Sequence, residues 1–422
     1  MGRIFYGWVV LFGLCLTYAA SNGILLSALP LFYPSLIEEF GWNESQVTQP
    51  AALSFLATAI FSLFVGYLVD RFKPRHLMIA GSIVYVIVLL ALRYIDTLTQ
   101  MSVLYVGISV ALALNGILPS MVVTSRWFAK RRGVAVGLLL MASSLGAAAM
   151  PPIITPMIAG EGWRYALITV ASIGFVFMVL PCIFLLRNDP SEKNTVVDGQ
   201  PDGDAVAIES KALGLLAGIS LVDAMKSPVF YLLAFSTGVM WFCITGVVQH
   251  QSIYMVRDLG IPLETFGSVL AVYFIAAVVG KVLFGVLSDY FDKTVIMMAA
   301  TVNLTIGLLI FRVIQGDSTT ILYTYAIVYG IGFSGAFTMI QLMIAELFAG
   351  PTYGSILGVY VFIDTLAGAL GIAVLGRMRV AFEGYGQAID LMIALCVAAF
   401  ACVVAIKVIA ARAAARQRVA AQ

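Results

Sequence analysis

Apolar runs of about 20 residues, the length that crosses a bilayer's hydrocarbon, recur from one end of the chain to the other. They cover residues 8–33, 47–69, 76–95, 101–125, 133–158, 164–186, 229–255, 265–288, 294–313, 319–346, 354–376 and 386–410. The first is too long for the apolar core of a cleavable signal peptide. Of the 422 residues, 61% are hydrophobic and 11% are charged. Soluble domains are ~45–50% apolar and ~25% charged, so this much apolar surface must face lipid. The runs lack the ten-residue alternation of a membrane barrel. They predict an all-α membrane protein with 12 transmembrane helices.

Basic residues orient the spans. With the N-terminus inside, seventeen of the 24 lysines and arginines fall on cytoplasmic loops and ends, and six fall outside. Only Lys281 is left within a span. Cytoplasmic loops carry the excess of Lys and Arg, so both termini are expected in the cytoplasm and the protein in a bacterial inner membrane. The one long polar segment divides the chain into residues 1–187, a linker over 188–226, and residues 227–422. The linker begins acidic and rich in Gly and Pro, which predicts a flexible tether. Its second part carries Leu213, Leu216, Ile219, Leu221, Val222 and Met225 at near-helical spacing, which predicts a short helix on the membrane surface.

The two halves repeat. Gly66-Tyr-Leu-Val-Asp70-Arg71 returns as Gly285-Val-Leu-Ser-Asp289, and Arg126-Trp127-Phe128-Ala129 returns as Glu346-Leu347-Phe348-Ala349, both about half the chain later. Internal duplication on this scale in a membrane protein points to a transporter. The Gly-x-x-x-Asp-Arg turn between spans two and three, with its weaker copy between spans eight and nine, resembles the loop signature of the major facilitator superfamily. Trp127-Phe128-Ala129-Lys130-Arg131-Arg132-Gly133-Val134-Ala135-Val136-Gly137 resembles the signature that opens span five of monocarboxylate transporters. Tyr6-Gly7-Trp8-Val9-Val10 is similar to the opening of those proteins and of oxalate/formate antiporters.

The resemblance implies two pseudo-symmetric six-helix bundles and transport by alternating access. It also implies a cytoplasmic latch of Asp70, Arg71, Arg126, Asp289 and Glu346. Gly66 and Gly285 are expected to allow close helix packing, and Asp70 and Asp289 to face helix N-termini.

Lys281 stands out within span eight, because a charge deep in a span is costly and marks a functional site. It lies about 12 Å inward from Asp289, near the midplane where such transporters bind substrate. The related transporters carry a substrate-binding Arg four residues before a Gly in this span. Lys281 stands four residues before Gly285, so the resemblance implies a carboxylate site with a point charge in place of a bidentate fork. The equivalent position before Gly66 is Ser62. Asp364, about 16 Å into span eleven, matches Lys281 in depth and is the expected proton-coupling residue and partner. Oxalate antiporters carry a Lys in span eleven, and animal monocarboxylate transporters carry one in span one, where this chain has Leu26. Asn115 at mid-depth could hydrogen-bond either a substrate or another helix. Asn22 and Tyr329 are further substrate-binding candidates.

The expected function is secondary active transport of small organic anions, as proton-coupled monocarboxylate symport. The alternatives are a carboxylate/carboxylate antiporter of the oxalate-formate type, a drug or sugar transporter of the superfamily, and a receptor that binds without translocating. No phosphate-cradling loop is present, and the five cysteines and two histidines show no metal-type spacing. No enzyme activity, cofactor, metal or nucleic acid is expected. The expected partners are a carboxylate, a proton and the bilayer, with the chain acting as a monomer.

Overall fold

The structure is a computed structural model, which describes residues 5–128, 131–197, 220–314, 318–348 and 353–420. Within those helices the side chains at 62–63, 65–67, 69–70, 132–133, 353–355 and 413–420 are outside the described set. The expected surface helix over Leu213–Met225 falls mostly outside the described residues; Leu221–Lys226 is helical, capped by Ser220.

About 90% of the described residues are helical, and none of them forms a strand. The spanning helices are α1 Tyr6–Leu31, α2 Glu44–Arg71, α3 Pro74–Leu92, α4 Leu98–Trp127, α5 Val134–Glu161 and α6 Trp163–Phe184. They continue with α7 Pro228–Asp258, α8 Leu263–Tyr290, α9 Lys293–Val313, α10 Thr319–Phe348, α11 Ile356–Ala381 and α12 Gly386–Arg412. All but α2 are long and apolar enough to cross a membrane among the described residues. At 28 residues α2 is long enough for the twelfth span.

Local chemistry sets the ends. Asn43 and Gln46 form a capping box at the start of α2, and Thr97 and Gln100 form another at α4. Pro74 opens α3 where a missing N–H costs nothing, and the Asp292 carboxylate accepts from Val295 N at 3.0 Å to cap α9. Helix α4 is broken at Asn115–Gly116, and α1 and α6 carry π-helical turns at Ile24–Ala28 and Phe175–Val179.

By contacts the chain forms two compact units. One comprises Met1–Ala207 with Val248–Phe274, and the other Ile208–Val247 with Ile275–Gln422. Within the first, α1 and α5 approach so closely that a Cβ on Gly146 would overlap the Ala19 carbonyl. Small residues at crossings are how helices gain packing energy where lipid is as apolar as leucine. Within the second, a Cβ on Gly280 would overlap Ser334 Oγ and lie 2.9 Å from the Ile331 carbonyl. The close approach of α8 thus falls at Gly280. At Gly285, where the repeat motif predicts it, a Cβ would meet nothing within 4 Å.

Candidate functional site

The two signatures that are far apart in sequence meet in space. Tyr6 and Trp127 rings are 5.9 Å apart, Trp8 and Phe128 5.0 Å, and Phe5 touches both Trp127 and Phe128. Trp127 is fully buried and donates its indole N–H to the Arg187 carbonyl at 3.0 Å. Lys193 sits 4.8 Å over the Tyr6 ring. Arg75 donates to the Cys182 and Ile183 carbonyls at 3.2 and 2.5 Å, satisfying groups freed at the end of α6. These motifs therefore build one packed end of the first unit.

The expected latch residues are described within each unit. Arg126 pairs with Asp189 at 3.5 Å, and Glu346 pairs with Lys293 at 2.7 Å. Arg71 is exposed at the end of α2, and the Asp70 side chain lies outside the described set. Asp289 is exposed, and Asp292 rather than Asp289 caps the helix that follows.

Three expected polar residues engage neighbouring helices or their own. Asn22 donates to the Tyr18 carbonyl at 3.1 Å, within its own helix. Asn115 is fully buried and donates to Ser82 Oγ at 2.8 Å, while its Oδ1 has no hydrogen-bond partner. Tyr329 is fully buried, donates to the Cys243 carbonyl at 3.1 Å and stacks on Tyr325 at 5.5 Å.

The two membrane charges lie in the second unit. Gly280 brings α8 against α10, and the next residue, Lys281, places its Nζ 5.1 Å from the centroid of the Phe337 ring. Phe337 meets Trp241 of α7 edge-on, with centroids 5.9 Å apart at 68°. One turn earlier on α7, the Thr237 hydroxyl donates to the Ala234 carbonyl at 3.3 Å and lies beside the Asp364 carboxyl of α11. Asp364 is 3% exposed, and its Oδ1 has no hydrogen-bond partner. Helices α7 and α11 are held in this register by Thr245 Oγ1 donating to the Gly368 carbonyl at 2.8 Å, and by Gly371 against the Phe242 carbonyl.

Among the described residues no ion pair joins Lys281 to Asp364. Instead a line of side chains runs between them: Asp364, Thr237, Trp241, Phe337, Lys281. Sequence reasoning found the two ends of this line and missed its middle. Thr, Trp and Phe in an apolar run carry no contrast in hydropathy. The arrangement supplies a cation for an anionic group, an aromatic surface beside it, and a carboxyl able to carry a proton.

At the other end of the first unit, Arg164 pairs with Glu39 and also with Asp96 at 3.9 Å, and Trp163 donates to Glu39 at 2.5 Å. Burial pushes the Glu39 carboxyl up, but the bonds from Arg164 and Trp163 outweigh it and hold the group below the ordinary carboxylate range.

A family model described as Major Facilitator Superfamily matches residues 10–371 and 230–422. The MFS-type transporter pynF of Aspergillus niger is 27% identical over 351 residues, covering 81% of this chain and 74% of that protein. Monocarboxylate transporter 13 of Rattus norvegicus is 24% identical over 381 residues, covering 89% and 82%. A bacterial homolog of the human lysosomal transporter Spinster, solved inward-facing and occupied, aligns with a TM-score of 0.76 at 15% identity, covering 96% of this chain and 98% of that one. At that identity the likeness shows the fold.

Proposed function

The chain belongs to the Major Facilitator Superfamily, whose members are membrane transporters and not enzymes, and we propose that it carries small monocarboxylates together with a proton by alternating access. The observation that carries this reading is Lys281. It is a lysine at membrane depth in α8, set over an aromatic face, with a separate buried carboxyl in the same unit. Bringing a cation to that depth is costly, and an anionic cargo recovers the cost by pairing with it. The resemblance of the Lys281–Gly285 spacing to the substrate-binding Arg of monocarboxylate transporters supports the same reading, as does the similarity to monocarboxylate transporter 13.

Asp364 is the proton carrier in this scheme. A carboxyl enclosed in a span beside the Thr237 and Tyr360 hydroxyls exchanges a proton more readily than a counter-ion. The proton on Asp364 and the carboxylate on Lys281 then travel as a net neutral pair. Their coupling runs through Thr237, Trp241 and Phe337, not through a direct ion pair. The excess of inward Lys and Arg supports cytoplasmic termini.

Purified protein in liposomes distinguishes the readings. Accumulation of a labelled short carboxylate driven by a pH gradient alone supports symport. Uptake only against an internal counter-anion means exchange, and binding without flux means a receptor.

A further inference from the structure

Trp241, on the line from Asp364 to Lys281, carries an indole N–H that donates to no acceptor among the described residues. Its position is unusual for a tryptophan of a membrane protein. It lies about 20 Å along α7 from Pro228, near the middle of the helix, whereas Trp is enriched at the two interfaces. Its ring is half-buried. A buried indole N–H ordinarily finds an acceptor. Trp127 donates to the Arg187 carbonyl at 3.0 Å and Trp163 to Glu39 at 2.5 Å. Trp241 donates to no acceptor among the described residues. Phe337, also half-buried, stands between this indole and Lys281, edge to face with the one and 5.1 Å under the other.

A cation, an aromatic face and an unused N–H in sequence describe a ligand with three matching parts. We propose that Trp241 and Phe337 select planar, conjugated monocarboxylates, with the carboxylate on Lys281, the ring against the two aromatic side chains and a ring oxygen accepting from Trp241 Nε1. This deepens the carboxylate reading and rests on Lys281 binding the carboxylate. A saturated ring of the same size offers no π-face to the Trp241–Phe337 pair, and a two- or three-carbon acid reaches neither the pair nor the indole N–H. Planarity and the distal oxygen therefore contribute separately.

The test uses the full-length protein in nanodiscs, with thermal-shift titrations of 4-hydroxybenzoate, benzoate, cyclohexanecarboxylate and lactate at one fixed pH. The expected result is 4-hydroxybenzoate binding about tenfold tighter than cyclohexanecarboxylate and lactate. Trp241→Leu is expected to abolish the roughly tenfold preference for 4-hydroxybenzoate over lactate. Trp241→Phe keeps benzoate ahead of cyclohexanecarboxylate and loses the gain from the hydroxyl. Equal affinities in the wild type, or Trp241→Leu weakening all four acids alike, overturn the selectivity while leaving Lys281 as the anion site. Binding of the acids that survives Lys281→Ala undiminished overturns both.

Discussion

Lys281 Nζ lies 5.1 Å from the centroid of the Phe337 ring, with the aromatic face beneath the ammonium. Cation–π contact is worth ~0.5–2 kcal/mol, depending on desolvation. A hydrogen bond to a charged group is worth ~1.5–3 kcal/mol. A carboxylate therefore gains more from the ammonium than the ring does, and the ring contributes to the placement of the lysine.

Lys281→Ala is expected to weaken carboxylate binding by at least about thirtyfold, since truncating one partner of a desolvated charge pair costs ~2–5 kcal/mol. Lys281→Arg keeps the charge and adds a bidentate fork, so binding stays within about tenfold of wild type. Titration calorimetry of both variants with the same acid checks the pair.

Asp364→Asn preserves the shape of the side chain but cannot change charge. Counterflow of carboxylate is expected to persist, while accumulation driven by a pH gradient falls to the level of empty liposomes. Accumulation at the wild-type level in this variant would remove Asp364 from the coupling.

Gly280 and Gly285 should respond oppositely to alanine. At Gly280 the added methyl meets Ser334 and the α10 backbone, an overpacking that costs ~1–3 kcal/mol. At Gly285 it meets no atom within 4 Å, and alanine favours the helix by ~0.5–1 kcal/mol. The melting temperature of the purified protein is expected to fall for the first and to hold or rise for the second.

Glu39 gives the first unit an acid-sensitive contact. Its carboxyl is held below the ordinary range by Arg164 and Trp163, against the opposing effect of burial. A depressed carboxylate contributes its stability above the unfolded-state value, ~4.3, and loses it as pH falls through the folded-state value. Hydrogen exchange over the helix Tyr33–Phe40 is expected to quicken as the pH is lowered through that window in wild type. Glu39→Gln is expected to exchange faster at neutral pH and to lack the acid step. The effect is modest, because both side chains are 39% exposed.

The helices were legible because a span's length and its apolar content are both set by the bilayer, so each run announces itself. Lys281 and Asp364 were legible for the same reason, as charges where charges are costly. Their surroundings were not. Depth along a helix follows from 1.5 Å per residue, but the direction a side chain faces depends on which helices pack together. Matching depth made Asp364 the expected partner of Lys281; in the structure its neighbour is Thr237, and Phe337 lies beneath the lysine. The Trp127-Phe128 and Tyr6-Gly7-Trp8 signatures were recognised as separate strings, and only folding joins them into one aromatic cluster. Asp292 could have been read from sequence, as an Asp placed to accept from the backbone at the start of α9. The repeated Gly-x-x-x-Asp pattern drew attention to Asp289 instead.

The most direct test is uptake of a labelled monocarboxylate into liposomes holding wild type or Lys281→Ala, with a pH gradient as the sole driving force. The account predicts accumulation that rises as the outside pH is lowered in the wild type, and none above empty liposomes in the variant. Equal accumulation by the two proteins would contradict it.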